Sequence, residues 1–131
     1  MAQRVCRAAR VQVAAANLPL GAGQNVVSLG GEHCSNRFVW QQAADEAGAD
    51  VRAVLPPSAL PAGAWTAAVM EAIDLQTAVV AVAPVFWLDG TALDLQAVAA
   101  RCREVHSLCP ARAMLPVDWI CHSACSCSMS V

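Results

Sequence analysis

The chain is 131 residues long, 57% hydrophobic and 14% charged, with a net charge of −2. That composition excludes a disordered chain and leaves no basic surface for nucleic acid or anionic lipid. Two Phe, four Trp and no Tyr also make it poor in rings on which bases could stack. The length allows one domain at most.

In chain order the pattern alternates helix and strand. An Ala/Val-rich helix over Val5–Ala16 ends near Pro19 and is followed by a short apolar strand, Asn25–Leu29. Ser35–Ala47 reads as a helix with Ser35 as its N-cap, a buried stripe of Phe38, Val39, Ala43 and Ala47, and Gly48 as its C-terminal glycine. Asp50–Leu55 is the next strand, closed by Pro56 and Pro57, and Gly63–Leu75 the next helix, with Trp65, Val69 and Ile73 on one face. Thr77–Val85 is the strongest strand, continuously apolar, as expected of a parallel strand covered on both faces. After a turn at Asp89-Gly90, a helix over Ala92–Leu108 places Leu93, Ala97, Ala100 and Glu104 on successive turns. Asp89 and Asp94 are expected to cap the turn and the helix start, and Glu71 and Asp74 to lie on a solvated face. Cys109-Pro110 ends the last helix, and Ala113–Ile120 is a candidate strand weakened by Pro116. Strands joined by helices of this length predict an α/β fold, a partial, mostly parallel sheet with crossover helices.

The mean hydropathy of +0.47 raises the question of a membrane span. The most apolar run, Leu75–Leu88, is 14 residues long and contains Pro84. A bilayer needs about 20 residues, so this run reads as a buried strand and its flanks. Arg4, Arg7 and Arg10 precede any acid, as in an organellar leader, but such a leader is also Ser-rich and the first serine here is Ser28. The N-terminus therefore reads as a helix of the domain and the localisation as cytoplasmic, with an organelle as the alternative.

Three stretches in order carry a resemblance. They are Ala15-Ala16-Asn17-Leu18-Pro19-Leu20 running into Gly23-Gln24-Asn25-Val26-Val27; Glu32-His33-Cys34-Ser35-Asn36-Arg37-Phe38-Val39-Trp40; and Val85-Phe86-Trp87-Leu88-Asp89-Gly90-Thr91-Ala92-Leu93-Asp94-Leu95. Together they resemble the large domain of class V aminotransferase-fold enzymes, a pyridoxal-phosphate (PLP) family that includes cysteine desulfurases and kynureninase-like proteins. The resemblance implies PLP as cofactor, amino acids as substrates, and transamination, desulfuration or epimerisation as the chemistry. It implies that His33 stacks on the pyridine ring; as a plain loop residue, His33 would instead cap the following helix. It also implies an aspartate paired with the pyridine nitrogen, for which Asp118 is the only candidate. Asp118 is followed by Trp119-Ile120-Cys121-His122, which departs from the family's pattern, so the tail is equally read as having left the family's sequence before that point.

The family's covalent chemistry requires a Schiff-base lysine, and this chain has none. Its eight basic residues are Arg4, Arg7, Arg10, Arg37, Arg52, Arg101, Arg103 and Arg112. A guanidinium stays protonated and does not replace the amine. The family's phosphate-binding turn is expected before residue 1, and its lysine-bearing segment after residue 131.

Residues 1–108 are thus read as a partial large domain and residues 109–131 as a divergent Cys-rich tail. Four of the seven cysteines, Cys109, Cys121, Cys125 and Cys127, lie in that tail, with His106 and His122 nearby. These supply ligands of the right kind for zinc but lack the paired C-x-x-C spacing. Three expectations stand side by side. The chain is a truncated, inactive member of the family; or a non-catalytic interaction module that dimerises with a full-length homologue; or, last, a small zinc-binding protein built on the tail.

Overall fold

The structure is a computed structural model that describes residues 7–55 and 64–107. Its elements are α1 (Arg7–Asn17), β1 (Asn25–Leu29), α2 (Cys34–Ala47), β2 (Asp50–Val54), α3 (Ala64–Ala72), β3 (Thr77–Ala81) and α4 (Leu95–Ser107). The three strands form one parallel sheet in the order β2-β1-β3. The expected α/β class with a partial parallel sheet is what the chain adopts. The candidate strand Ala113–Ile120, Asp118 and the Cys-rich tail lie outside the described residues.

Strand sequence explains strand position. β1 (NVVSL) is central and buried throughout. β3 (TAVVA) is nearly as buried, as its continuous apolar run requires. β2 (DVRAV) exposes Asp50, Arg52 and Ala53, as befits an edge strand. Alternate residues face opposite ways. Val26, Val79 and Ala81 pack with Trp40 beneath α1 and α2. Val27, Leu29, Val80 and Val82 pack with Trp65, Val69, Val98 and Cys102 beneath α3 and α4. α2 leads outward from β1 to β2, and α3 leads back across the sheet to β3. Right-handed crossovers in opposite directions belong on opposite faces, where these two helices lie.

Several expectations move. α2 starts one residue early, and its N-cap is His33, not Ser35. Its buried residues are Trp40 and Ala44, while Phe38 is 65% exposed. The reason is the indole: Trp40 Nε1 donates to Asn36 Oδ1 at 3.0 Å, so the largest side chain of the helix enters the core without a lost hydrogen bond. Gly48 does end the helix in the left-handed conformation (φ 68) and donates to the Ala44 carbonyl.

β3 stops at Ala81 rather than Val85. The chain after Pro84 folds into a short antiparallel turn, with Val85 bridging Ala92 and Phe86 N–H donating to Thr91 O at 2.8 Å. Asp89 accepts from Thr91 N–H at 2.8 Å within that turn, as expected. α4 begins at Leu95 because Asp94 caps it, accepting from Ala97 N–H at 3.0 Å. Its buried face is Val98, Cys102 and Val105, while Ala100 and Glu104 are exposed. Finally, Asp74 is no idle surface acid. It takes hydrogen bonds from Arg52 (2.7 Å), Asn25 (3.1 Å), Gln76 N–H (2.8 Å) and Thr77 (3.2 Å), tying all three strands together at one end of the sheet.

Candidate functional site at the strand ends

β1 sits between strands reached in opposite directions, so the loops leaving β1 and β3 diverge at the carboxyl end of the sheet. In open α/β sheets this switch point is where ligands bind. The loop after β1 runs through Gly30, Gly31 and Glu32 to His33. Gly30 N–H donates to Val54 O, tying the loop to the end of β2. Gly31 has φ 82, a conformation that strains any residue with a Cβ. The loop after β3 is the turn that carries Phe86, Trp87 and Leu88.

The two loops meet at the sequence's principal candidate, His33. Its ring is exposed, and Nδ1 accepts the Ser35 backbone N–H at 3.3 Å, with Ser35 Oγ at 2.9 Å and Cys34 Sγ at 3.8 Å. An acceptor at Nδ1 places the proton of the neutral ring on Nε2. His33 therefore does cap the helix that follows. From the other loop, Trp87 brings its ring to 5.8 Å from the imidazole centroid, with the two planes 79° apart. The indole Nε1 donates to Gly31 O at 2.9 Å. Glu32 is buried (8% exposed); Oε1 accepts the His33 N–H at 3.2 Å, and Oε2 has no partner among the described residues. Asn36, in the first turn of α2, donates to Ala81 O at 3.4 Å and so fixes α2 on the end of β3.

Sequence reasoning found His33 and missed Trp87 and Asn36 as parts of its setting. A single exposed aromatic is ordinary on a surface, so the sequence carried no signal of the Trp87 contact, which forms only once β1 and β3 are neighbours. The site contains an imidazole, a thiol, a hydroxyl and a buried carboxylate. Among the described residues no group of three or more His, Cys, Asp or Glu is placed to hold a metal ion, and no helix is long and apolar enough to cross a membrane.

Comparison with known proteins locates this arrangement. Among the solved structures that share the fold are two of the same protein. One is a complex between the cystine C-S lyase C-DES and its reaction product cysteine persulfide (22% identity, TM-score 0.63, covering 71% of this chain and 24% of that one). The other is a C-DES mutant, a lysine replaced by alanine, with glycine covalently linked to the PLP cofactor (21% identity, TM-score 0.64, 72% and 24%). The chain thus spans about a quarter of the length of these structures. No curated protein matches the sequence. The family model described as Aminotransferase class-V matches residues 7–111, far more than half of the chain. With the parallel sheet and its switch-point loops, that match shows that the chain belongs to the class V aminotransferase family.

Proposed function

We propose that this chain supplies the His33-bearing part of a class V cofactor site and performs no covalent PLP chemistry by itself. The observation that carries the reading is the placement of His33 at the switch point of a lysine-free chain. An exposed, oriented imidazole fits one requirement of PLP, a flat partner for its pyridine ring. Two further requirements concern the aldehyde and the pyridine nitrogen. No side chain offers the primary amine that anchors the aldehyde, and Asp118, the proposed partner of the pyridine nitrogen, lies outside the described residues. PLP when bound supplies an electron sink for reactions at amino-acid carbons, and no step through it is assigned to these residues. Residues 1–108 form the family portion on this reading and residues 109–131 a divergent tail, a division supported by the end of the family match at residue 111.

The test combines two measurements on the purified chain. On adding PLP, the His33 ring resonances are expected to shift. After borohydride reduction and peptide mapping, label is expected at the α-amino group and at no side chain. Turnover of an amino acid by the chain alone with PLP overturns the reading, as does an unmoved His33.

A second reading, a module that pairs with a full-length relative, is favoured by the exposed apolar residues around the same loops. Leu55 and Leu88 approach Gly30 and Gly31 respectively, and both are exposed. Joint elution with a full-length class V protein in size-exclusion chromatography is the expected result; separate elution at all concentrations removes it.

A further inference from the structure

We propose that Trp87 is the positioning residue for His33, so that the loop after β3 sets the orientation of the imidazole presented by the loop after β1. The inference deepens the reading of His33 as cofactor-facing, but its test needs no cofactor.

Trp87 is 58% exposed although its turn is tied down on both sides. Phe86 beside it is buried against Trp65, with ring centroids 4.9 Å apart. Gly90 N–H donates to Phe86 O at 2.9 Å, and Leu93 N–H to Pro84 O at 2.9 Å. This anchored turn leaves the Trp87 backbone little freedom. The indole is fixed in turn, because Nε1 spans to the Gly31 carbonyl on a loop 56 residues away in sequence. That carbonyl belongs to a residue at φ 82, two before His33.

The imidazole is then held from two directions. Ser35 N–H and Oγ engage Nδ1, which fixes one edge but leaves the ring free to tilt about it. Trp87 stands at 79° to the ring plane and opposes that tilt. A smaller residue at position 87 loses both the tether and the ring contact. Phenylalanine loses only the tether, since it has no N–H. Because Trp87 is largely outside the core, neither change is expected to unfold the chain.

The experiment compares wild type with W87F and W87A, without cofactor, by two readouts. The first is the ring-proton resonances of His33, which sense the indole's ring current. The second is the diethyl pyrocarbonate modification rate of His33, mapped by mass spectrometry against His106 and His122 as internal references. In W87A the His33 resonances are expected to lose the ring-current shift and broaden. Its modification is expected to rise roughly two- to ten-fold, the low end of what one aromatic contact and one hydrogen bond support, because the indole is largely exposed. W87F is expected to fall between W87A and wild type, a partial rescue that general loosening of the fold does not produce. Unchanged His33 resonances and rate in W87A overturn the proposal, and so does W87F behaving as W87A in both readouts. A failure of PLP to move His33 in wild type counts against the function proposed above and leaves these outcomes intact.

Discussion

At the residue scale, His33 and Asp74 show how a side chain's partners decide its role. An imidazole is a rare N-cap; Ser, Thr, Asp and Asn are the usual ones. His33 serves because its Nδ1 reaches Ser35 N–H. Replacing it by alanine removes the cap and is expected to cost about 1 kcal/mol, while asparagine restores most of that; urea midpoints of H33A and H33N check both. Asp74 gives a pH signature. Partial burial pushes its carboxyl up, but hydrogen bonds from Arg52, Asn25 and Gln76 N–H, with the charge of Arg52, outweigh it and lower the value from 3.8 to about 2. A carboxyl depressed in the folded state stabilises it above the unfolded value of 3.8, and that contribution is lost as pH falls from about 4 through 2. Both partners of the ion pair are more than 40% exposed, 44% and 42%. Solvent screening therefore leaves roughly 1 kcal/mol. Urea unfolding of wild type and D74N at pH 6 and pH 3 is expected to show the gap between them closing at the lower pH; a gap that stays constant contradicts the assignment.

At the element scale, the strands were more legible than the helix faces. β3 is a continuous apolar run and β1 a short strand around Val26, Val27 and Leu29, with no competing pattern, so their type follows from composition. In α2 and α4 the apolar residues do not fall on one face alone: α2 offers Phe38, Val39, Trp40, Ala43, Ala44 and Ala47, and α4 offers Ala97, Val98, Ala99 and Ala100 in one run. In α2 the face is chosen by Trp40, once Asn36 satisfies its indole. In α4 it is chosen by where Asp94 starts the helix, which turns Val98, Cys102 and Val105 inward. Val98, Cys102 and Val105 do fall at helical spacing, as do Trp40 and Ala44, but each helix offers a rival apolar stripe, and the buried one is the one accompanied by a hydrogen bond between residues three or four apart. The end of β3 was hidden for a different reason: Val85 looks like strand, but Pro84 before it cannot donate to a ladder. The loop after β1 gives the element-scale prediction. Gly31→Ala places a Cβ at φ 82, where L-residues are strained, and sets it 3.5 Å from Leu88 and 3.6 Å from Phe86. The cost is expected to be about 1–2 kcal/mol, read as a lower urea midpoint for G31A, with the Trp87 fluorescence shifted as its carbonyl partner moves.

For the whole molecule, the family was legible because its signal is an ordered set of stretches, and two of the three lie at the strand ends where the site forms. His33 sits in the second stretch and Trp87 in the third. Their contact spans more than fifty residues of sequence and depends on β1 and β3 being neighbours, a fact of topology that neither stretch contains. The same topology leaves apolar side chains around the site. Leu55, Trp87 and Leu88 are each more than half exposed, and Leu55 and Leu88 flank the Gly30-Gly31 turn from the β2 and β3 sides. A rim of this kind is unfavourable in water and favours association. Leu88 is the residue to change, since it makes no hydrogen bond to the His33 loop and is not part of the indole tether. Burying one leucine is worth about 1.5–3 kcal/mol, so Leu88→Ser is expected to weaken association roughly ten-fold or more. Sedimentation of wild type and L88S over a concentration series, alone and with a full-length class V protein, measures this. Equal association constants for the two chains in both mixtures would show that the rim is not the contact.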